Sequence, residues 1–156
     1  MTREEALAGL RALIGRDSPP GAWVTVTQAQ IDVHSRNAND PQWIHTDVAR
    51  ARRESPYGTT VAHAFLTLAM VNPLTEPTSP FLAIRRAARY SVNYGLNRVR
   101  FPAPVPAGAR VRGRNRLLTA EPVGPDALQY TWVATIEVEG SPKPACVAEV
   151  VHRLYY

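Results

Sequence analysis

The sequence predicts an α+β fold in which one buried helix is wrapped by a curved antiparallel sheet. Residues 61–72 (VAHAFLTLAMVN) are apolar on nearly every side, which is typical of a helix that is buried all round. Residues 109–119 and 128–139 alternate with period two, as half-buried strands do. A Pro-Gly-rich turn at 122–125 joins these two segments and indicates an antiparallel hairpin.

Two capping-box patterns predict helices in the first part of the chain. In this pattern a threonine side chain accepts a hydrogen bond from the third residue of the helix, whose own side chain returns one to the threonine N–H. We expect a first helix over about 3–14 and a second, shorter helix that ends at about Ser35. The two boxes are formed by Thr2 with Glu5 and by Thr27 with Gln30.

The stretch between the second helix and the buried helix is predicted to be largely irregular. Pro41 cannot continue a helix, because it lacks an N–H and its ring clashes with the preceding turn. Asp47 is placed to cap one or two helical turns that end at Glu54. A loop over 55–58 then leads towards the buried helix.

The second half of the chain is predicted to be mostly strand. Pro73 ends the buried helix, and the three prolines within 73–80 indicate a loop. The prolines of FPAPVPAG, residues 101–108, indicate a bend at an edge or corner of the sheet. The β-like segments are 23–27, 87–94, 96–101, 109–119, 128–139 and 144–155.

Length and composition favour a single domain. A chain of 156 residues suits one hydrophobic core, so residues 1–156 are predicted to fold as one unit. The one cysteine, Cys146, excludes an internal disulfide and suits a reducing compartment. No signal peptide is visible, and the longest apolar stretch is too short to span a bilayer. We therefore expect a cytoplasmic protein that does not enter the membrane.

The charge balance favours anionic partners, since the formal net charge is +5. Arginines alternate along two of the predicted strands, which places each group on one face. This pattern fits either a solvated sheet face or a surface that binds phosphate groups. No homeodomain, zinc-finger or RNP-type pattern is present, so nucleic acid is not a favoured partner. The arginines are Arg98, Arg100, Arg110, Arg112, Arg114 and Arg116.

The segment NDPQWIHTD, residues 39–47, combines the groups that adding or removing water requires. Dehydrating a 3-hydroxyacyl thioester, or hydrating the matching enoyl thioester, needs a base, an acid and a group that polarises the thioester carbonyl. Asp40 and His45, in one tight loop, can supply the acid and the base. Backbone N–H groups at a helix start, that of Ala64 among them, can stabilise charge on the carbonyl oxygen.

Residues 39–68, NDPQWIHTDVARARRESPYGTTVAHAFLTL, resemble the hydratase-2 motif of the MaoC-like dehydratases, which include the R-specific enoyl-CoA hydratases of hotdog fold. The pattern is D-x4-H-x-D followed at the right distance by G-x-x-V-A-H. The stretch NYGLNRVRFPAPVPAGARVR, residues 93–112, is similar to the nodulation-protein-N-like branch of that family. The resemblance covers about residues 22–153.

The resemblance implies a hotdog fold and a homodimer whose acyl tunnel runs along the subunit interface. Asp40 and His45 match the catalytic pair of the family, and Ala64 stands where a glycine N–H usually binds the thioester oxygen. Arginines of the later strands, including Arg98 and Arg100, are candidates for holding the phosphates of coenzyme A. The substrate would be an acyl thioester of coenzyme A or of acyl carrier protein, and no separate cofactor is expected.

Two positions depart from the family pattern. Asn39 stands where the family often has glycine, but asparagine tolerates a positive φ better than most residues, so the loop is expected to keep its shape. Ala64 retains the N–H but adds a methyl group where the substrate passes. Three asparagines fit either substrate contacts or buried hydrogen bonds: Asn72, Asn93 and Asn97.

The favoured function is the reversible hydration of trans-2-enoyl-CoA to (R)-3-hydroxyacyl-CoA. Two alternatives remain open: a hotdog acyl-thioesterase, and a non-catalytic subunit that binds acyl thioesters. The intact pair of Asp40 and His45 argues against both. His63 is interpreted mainly as a structural residue. No HExxH or paired-cysteine spacing suggests a metal, and no G-x-S-x-G suggests a serine hydrolase.

Overall fold

A curled antiparallel sheet of five strands forms the frame of the molecule, in the order β1-β3-β4-β5-β2. The computed structural model describes residues 1–156. The predicted α+β class with a curved antiparallel sheet is therefore confirmed. The strands are β1 Val24–Thr25, β2 Tyr90–Arg100, β3 Arg110–Val123, β4 Ala127–Val138 and β5 Cys146–Tyr155.

Seven short α-helices accompany the sheet, and none of them is long and apolar enough to cross a membrane. Both predicted capping boxes are present at the starts of the first two helices. The helices are α1 Arg3–Leu13, α2 Gln28–Ala38, α3 Trp43–Thr46, α4 Val48–Glu54, α5 Ala64–Ala69, α6 Val71–Thr75 and α7 Leu82–Ala87, with a 3-10 turn at Glu76–Thr78.

The core lies between the concave face of the sheet and the helices α1 and α6. Alternate residues of β3, β4 and β5 point into it, as the period-two pattern predicted. Helix α6 approaches β3 so closely that a Cβ at Gly113 would lie 2.8 Å from the carbonyl oxygen of Leu74. Glycine is therefore required at this contact, because any side chain would push the helix away from the sheet.

The helix predicted over 61–72 differs from the prediction in length and in burial. Its first three residues are extended, and the helical part is divided at Met70 into α5 and α6. Pro73 does not end it, because it occupies the first turn of α6, where its missing N–H would have no partner within the helix. Phe65 is 70% exposed in the single chain, so the outer side of α5 is not covered.

Two further predictions about the second half were wrong. The segment 73–80 is not a simple loop, since it contains most of α6 and the 3-10 turn. Helix α7 was not predicted at all, and it occupies the position where a strand was expected to start at residue 87. The two β-like segments that follow form the single strand β2, which is interrupted only by irregular pairing with β5.

Candidate active site

The segment 39–47 turns the chain between α2 and α4. Asn39 ends α2 in the left-handed conformation with φ 52°, the positive φ that the sequence led us to expect at this position. The prediction of irregular structure was wrong for part of the segment, because Trp43–Thr46 form the single helical turn α3. Asp47 caps α4 by accepting a hydrogen bond from the Arg50 N–H at 2.8 Å, as predicted.

Asp40 is held through its backbone and leaves its carboxylate open to solvent. Its N–H donates to the Ser35 carbonyl at 3.0 Å, and its own carbonyl accepts from the Ser35 hydroxyl at 2.8 Å. A third bond comes from His63 Nε2, 3.0 Å from the same carbonyl oxygen. The Asp40 side chain is 54% exposed and accepts no hydrogen bond, so it is free to take or give a proton.

His45 is oriented by a backbone carbonyl. Its Nδ1 lies 2.7 Å from the Val61 oxygen, and because a carbonyl can only accept, Nδ1 carries the hydrogen of the neutral ring. Nε2 is then the basic atom. The pKa of His45 is lowered mainly by burial, while the bond to Val61 and the charge of Asp40 oppose this shift. A neutral ring at physiological pH is suited to accept a proton.

Asp40, His45 and His63 converge on one point. One ligand atom from each lies within 4.8 Å of the others. Two imidazoles and a carboxylate form a set that can bind Zn²⁺. However, the rings of His45 and His63 are stacked, with centroids 3.7 Å apart and planes inclined by 27°, so their lone pairs are directed side by side rather than at a common ion. The arrangement fits an acid–base pair better than a metal centre, and the expectation of no metal stays a prediction.

The backbone N–H of Ala64 follows His63 directly in the chain and is available to a ligand. Helix α5 starts at Ala64, and its N–H has no hydrogen-bond partner. The preceding His63 does not cap the helix with its side chain. A free N–H at a helix start, adjacent in sequence to a residue that contacts Asp40, fits the predicted role of binding the thioester oxygen.

Two of the three candidate asparagines meet in a groove between the helices and the sheet edge. Asn72 Nδ2 donates to Asn93 Oδ1 at 3.3 Å. Both line a largely apolar cavity of about 280 Å³, together with Leu68, Ala69, Val71, Gly95, Leu96 and Val150. Asn97 is not part of this lining, and it lies at an irregularity in the pairing of β2 with β5.

The candidate arginines fall into two groups. On β3 the alternation predicted from the sequence is present, but each arginine is bound to a carboxylate of the same sheet face or of the α1–β1 connection. The side chain of Arg98 makes no hydrogen bond or ion pair, and the side chain of Arg100 donates only to the carbonyl of Val99. The pairs are Arg110 with Glu139, Arg112 and Arg114 with Glu137, and Arg116 with Asp17.

Sequence reasoning missed how much Ser35 and His63 contribute to the site. His63 was within the quoted motif and was assigned a mainly structural role, although the two histidines and three carboxylates within 40–63 were a usable signal. Ser35 carried no signal, since a serine near a helix end is common. Its role depends on the left-handed turn at Asn39, which folds Asp40 back onto α2.

The chain belongs to the family described as MaoC like domain, whose profile matches residues 11–124. Among relatives, it is 44% identical over 149 residues to 3-hydroxyacyl-thioester dehydratase Z of Mycobacterium tuberculosis, covering 96% of this chain and 95% of that protein. It is 39% identical over 145 residues to nodulation protein N of Rhizobium leguminosarum, covering 93% and 88%. The resemblance noted in the sequence is thus confirmed for both the family and the branch.

A solved structure supports the fold assignment. The (R)-hydratase from A. caviae involved in PHA biosynthesis superposes with a TM-score of 0.70 at 18% sequence identity, covering 90% of this chain and 96% of that one. At this identity the likeness concerns the fold alone. It confirms the predicted hotdog fold.

Proposed function

We propose that this protein catalyses the reversible hydration of a trans-2-enoyl thioester of coenzyme A to the (R)-3-hydroxyacyl thioester, as a hydro-lyase. The observation that carries the proposal is the convergence of the open Asp40 carboxylate with the His45 ring, and the unpartnered N–H of Ala64 at the start of α5 supports it. The 44% identity to a 3-hydroxyacyl-thioester dehydratase supports the same reaction in reverse.

Each group has one task in this mechanism. Asp40 accepts a proton from the water whose oxygen attacks C3 of the enoyl group, and His45 Nε2 holds and orients the same water. The Ala64 N–H binds the thioester oxygen, where negative charge develops as C3 is attacked. The proton that Asp40 has accepted is then delivered to C2 on the same face, which restores the carboxylate. In dehydration, Asp40 takes the proton from C2 and donates it to the departing hydroxyl group.

A homodimer would complete the substrate site. Strand β2 is an edge strand, and its side chains are exposed over nearly its whole length. Val92, Tyr94 and Leu96 on this strand are 40%, 55% and 46% exposed in the single chain. Proteins rarely leave such an apolar edge strand uncovered. The groove of Asn72 and Asn93 borders this edge, so a second chain paired there would close it. Light scattering of the purified protein tests this directly, and a monomer at micromolar concentration would contradict it.

The decisive experiment follows crotonyl-CoA at the absorbance of the enoyl group, with the product separated and its configuration determined. We expect (R)-3-hydroxybutyryl-CoA from the wild type and at least ~10²-fold slower formation by Asp40→Asn. A thiol reagent in a parallel assay detects thioester hydrolysis, which would support the thioesterase instead. Tight binding of crotonyl-CoA without turnover would support the non-catalytic subunit.

A separate assay after treatment with a chelator tests whether the reaction requires a metal ion. We expect activity to survive EDTA treatment and dialysis, because the stacked rings of His45 and His63 do not direct their lone pairs at one ion. Loss of activity on chelation, restored by Zn²⁺, would show that a metal takes part.

A further inference from the structure

His63 is a buried imidazole beside the acid–base pair, and the mechanism above gives it no task. It is 3% exposed and occupies the N-cap position of α5, yet its side chain makes no cap hydrogen bond. Burial removes the hydration of both ring nitrogens, a cost that must be offset by contacts. Its Nδ1 has no hydrogen-bond partner, so the contacts that offset this cost are those of Nε2 and of the ring face.

These remaining contacts go to both members of the pair. Nε2 lies 3.0 Å from the carbonyl oxygen of Asp40, and since a carbonyl can only accept, Nε2 carries the hydrogen. The face of the ring lies against His45, with ring centroids 3.7 Å apart. The same Nε2 is 4.0 Å from Asp40 Oδ2. One side chain therefore touches the backbone of the acid and the ring of the base.

Neither catalytic side chain is fixed by the other. The Asp40 carboxylate accepts no hydrogen bond, and His45 is held only through Nδ1, about which its ring can still tilt. The stacked ring of His63 blocks that tilt on one side, and its bond to Asp40 sets the distance between the loop and α5. A misplacement of about 1 Å in such a pair can cost about 10²-fold in rate.

We propose that His63 is a positioning residue that holds Asp40 and His45 in mutual register for the hydration reaction. The proposal rests on the proposed function above, because the register matters only if the two groups share one water. It assigns to His63 no direct contact with substrate.

The charges around His45 give this role a measurable signature. The groups that face His45 are Asp40 and His63, and His34 faces His63 from α2 with ring centroids 4.9 Å apart. Burial is the main cause that lowers the pKa of His45, and repulsion by His63 adds to it. Replacing His63 by a residue that cannot take up a charge removes that repulsion, so the pKa of His45 should rise.

Three variants test the proposal. His63→Ala removes both contacts and should lower kcat by about 10²-fold with KM changed less than about threefold. His63→Gln can place its Nε2 where the imidazole Nε2 stands. Its kcat should therefore be at least about tenfold higher than that of His63→Ala. Thr67→Ala is the matched control, because Thr67 is buried one turn along the same helix and makes no hydrogen bond to Asp40 or His45. It should keep kcat within about twofold.

A second measurement does not depend on turnover. The chain contains four histidines, so the titration of the His45 ring can be followed by NMR in the wild type and in His63→Gln. We expect a higher His45 pKa in the variant, and the acidic limb of the pH profile of kcat/KM should move to higher pH with it. A wild type without hydratase activity would defeat the proposed function, while the NMR comparison would still judge the contact of His63 with His45.

The outcomes that overturn the proposal are specific. Folded His63→Ala with kcat within about threefold of the wild type would remove any positioning role. An unchanged His45 titration in His63→Gln would contradict the contact between the two rings, on which the proposal depends. If His63→Ala fails to fold, the proposal is judged by His63→Gln alone, and an unshifted pH profile of kcat/KM in that variant would overturn it.

Discussion

His45 and His152 are both imidazoles held through Nδ1, but they lie in opposite surroundings. Nδ1 of His152 is 2.8 Å from the hydroxyl oxygen of Tyr130, and the ring is 1% exposed, with Tyr130 and Trp132 packed edge-on against it. His45 is only partly buried and faces the open carboxylate of Asp40. One ring is sealed in the core, and the other lies at the surface of the same sheet-and-helix frame.

The difference shows which features make a histidine chemically useful. Burial, followed by the positive charge of Arg85, lowers the pKa of His152 to about 4, so the ring stays neutral at physiological pH. The pKa of His45 is also lowered by burial, but the bond to Val61 and the charge of Asp40 oppose the shift. A catalytic ring therefore needs both a route for protons and an acid partner, and His152 has neither.

The largest expected effect is a loss of kcat when the groups around His45 are changed, which changes around His152 should not cause. Asp40→Asn keeps the size of the side chain but removes its basicity, and His45→Gln removes the basic nitrogen. Each should lower kcat by ~10²-fold or more with the thermal unfolding temperature retained. The double variant should be barely slower than the slower single variant, because the two groups act on one water. Hydration of crotonyl-CoA is the measurement.

His152→Gln is the matched control for that experiment, since it changes the sealed histidine. It should alter stability rather than kcat. Additive losses in the Asp40 and His45 variants would contradict a shared water. A catalytic loss in a folded His152 variant would contradict the division into an open and a sealed histidine.

The sequence predicted the pair of Asp40 and His45 better than it predicted the residues that hold this pair in place. Asp40 and His45 are close in the chain, so one turn suffices to bring them together, and their types alone suggested acid–base chemistry. His63 reaches Asp40 only once the start of α5 lies against this turn, which no local pattern encodes, and Ser35 reaches it only through the left-handed turn at Asn39. The same limit explains the arginines of β3: Glu137 and Glu139 pair with them only once the β3–β4 register is set.

The next effect concerns stability in the sealed region. Tyr130→Phe removes the hydroxyl and leaves Nδ1 of His152 buried without a partner, which should cost ~1–3 kcal/mol in the free energy of unfolding. Turnover of crotonyl-CoA should remain unchanged. Denaturant unfolding with an unaltered m-value checks the first expectation. An unchanged midpoint would show that the Tyr130–His152 bond contributes nothing.

Stability should also depend on pH through His152. Its pKa is about 4 in the folded chain against an ordinary value of 6.5, so between these values the unfolded chain binds more protons. Its contribution is present above pH 6.5 and is lost as the pH falls towards 4. The double change Tyr130→Phe with His152→Leu removes both polar partners and should flatten this part of the curve. Equal slopes in the wild type and the double variant would contradict the assignment to His152.

A smaller effect is expected at the turn that presents Asp40. Asn39 has φ 52°, so Asn39→Ala should cost ~1 kcal/mol, because a Cβ without a compensating polar group is disfavoured there. Asn39→Gly should be close to neutral, because glycine adopts a positive φ without a steric cost. Thermal unfolding of the three proteins gives the order, and an Ala variant as stable as the wild type would show that the turn adapts.

The smallest expected effect is on KM, and it compares an arginine without a carboxylate partner with one that is paired. Arg98 has no carboxylate partner, whereas Arg110 is paired with Glu139. If the phosphates of coenzyme A bind at the open edge, Arg98→Ala should raise KM for crotonyl-CoA by about threefold with little change in kcat, since an exposed charge contributes only ~0.2–1 kcal/mol. Arg110→Ala is the matched control and should leave KM unchanged.

Raising the salt concentration should weaken the Arg98 effect, because exposed charges are screened. The same KM for a short pantetheine thioester as for the full coenzyme would show that neither arginine binds phosphate, and the paired β3 face and the open β2 edge would then differ in structure without differing in function.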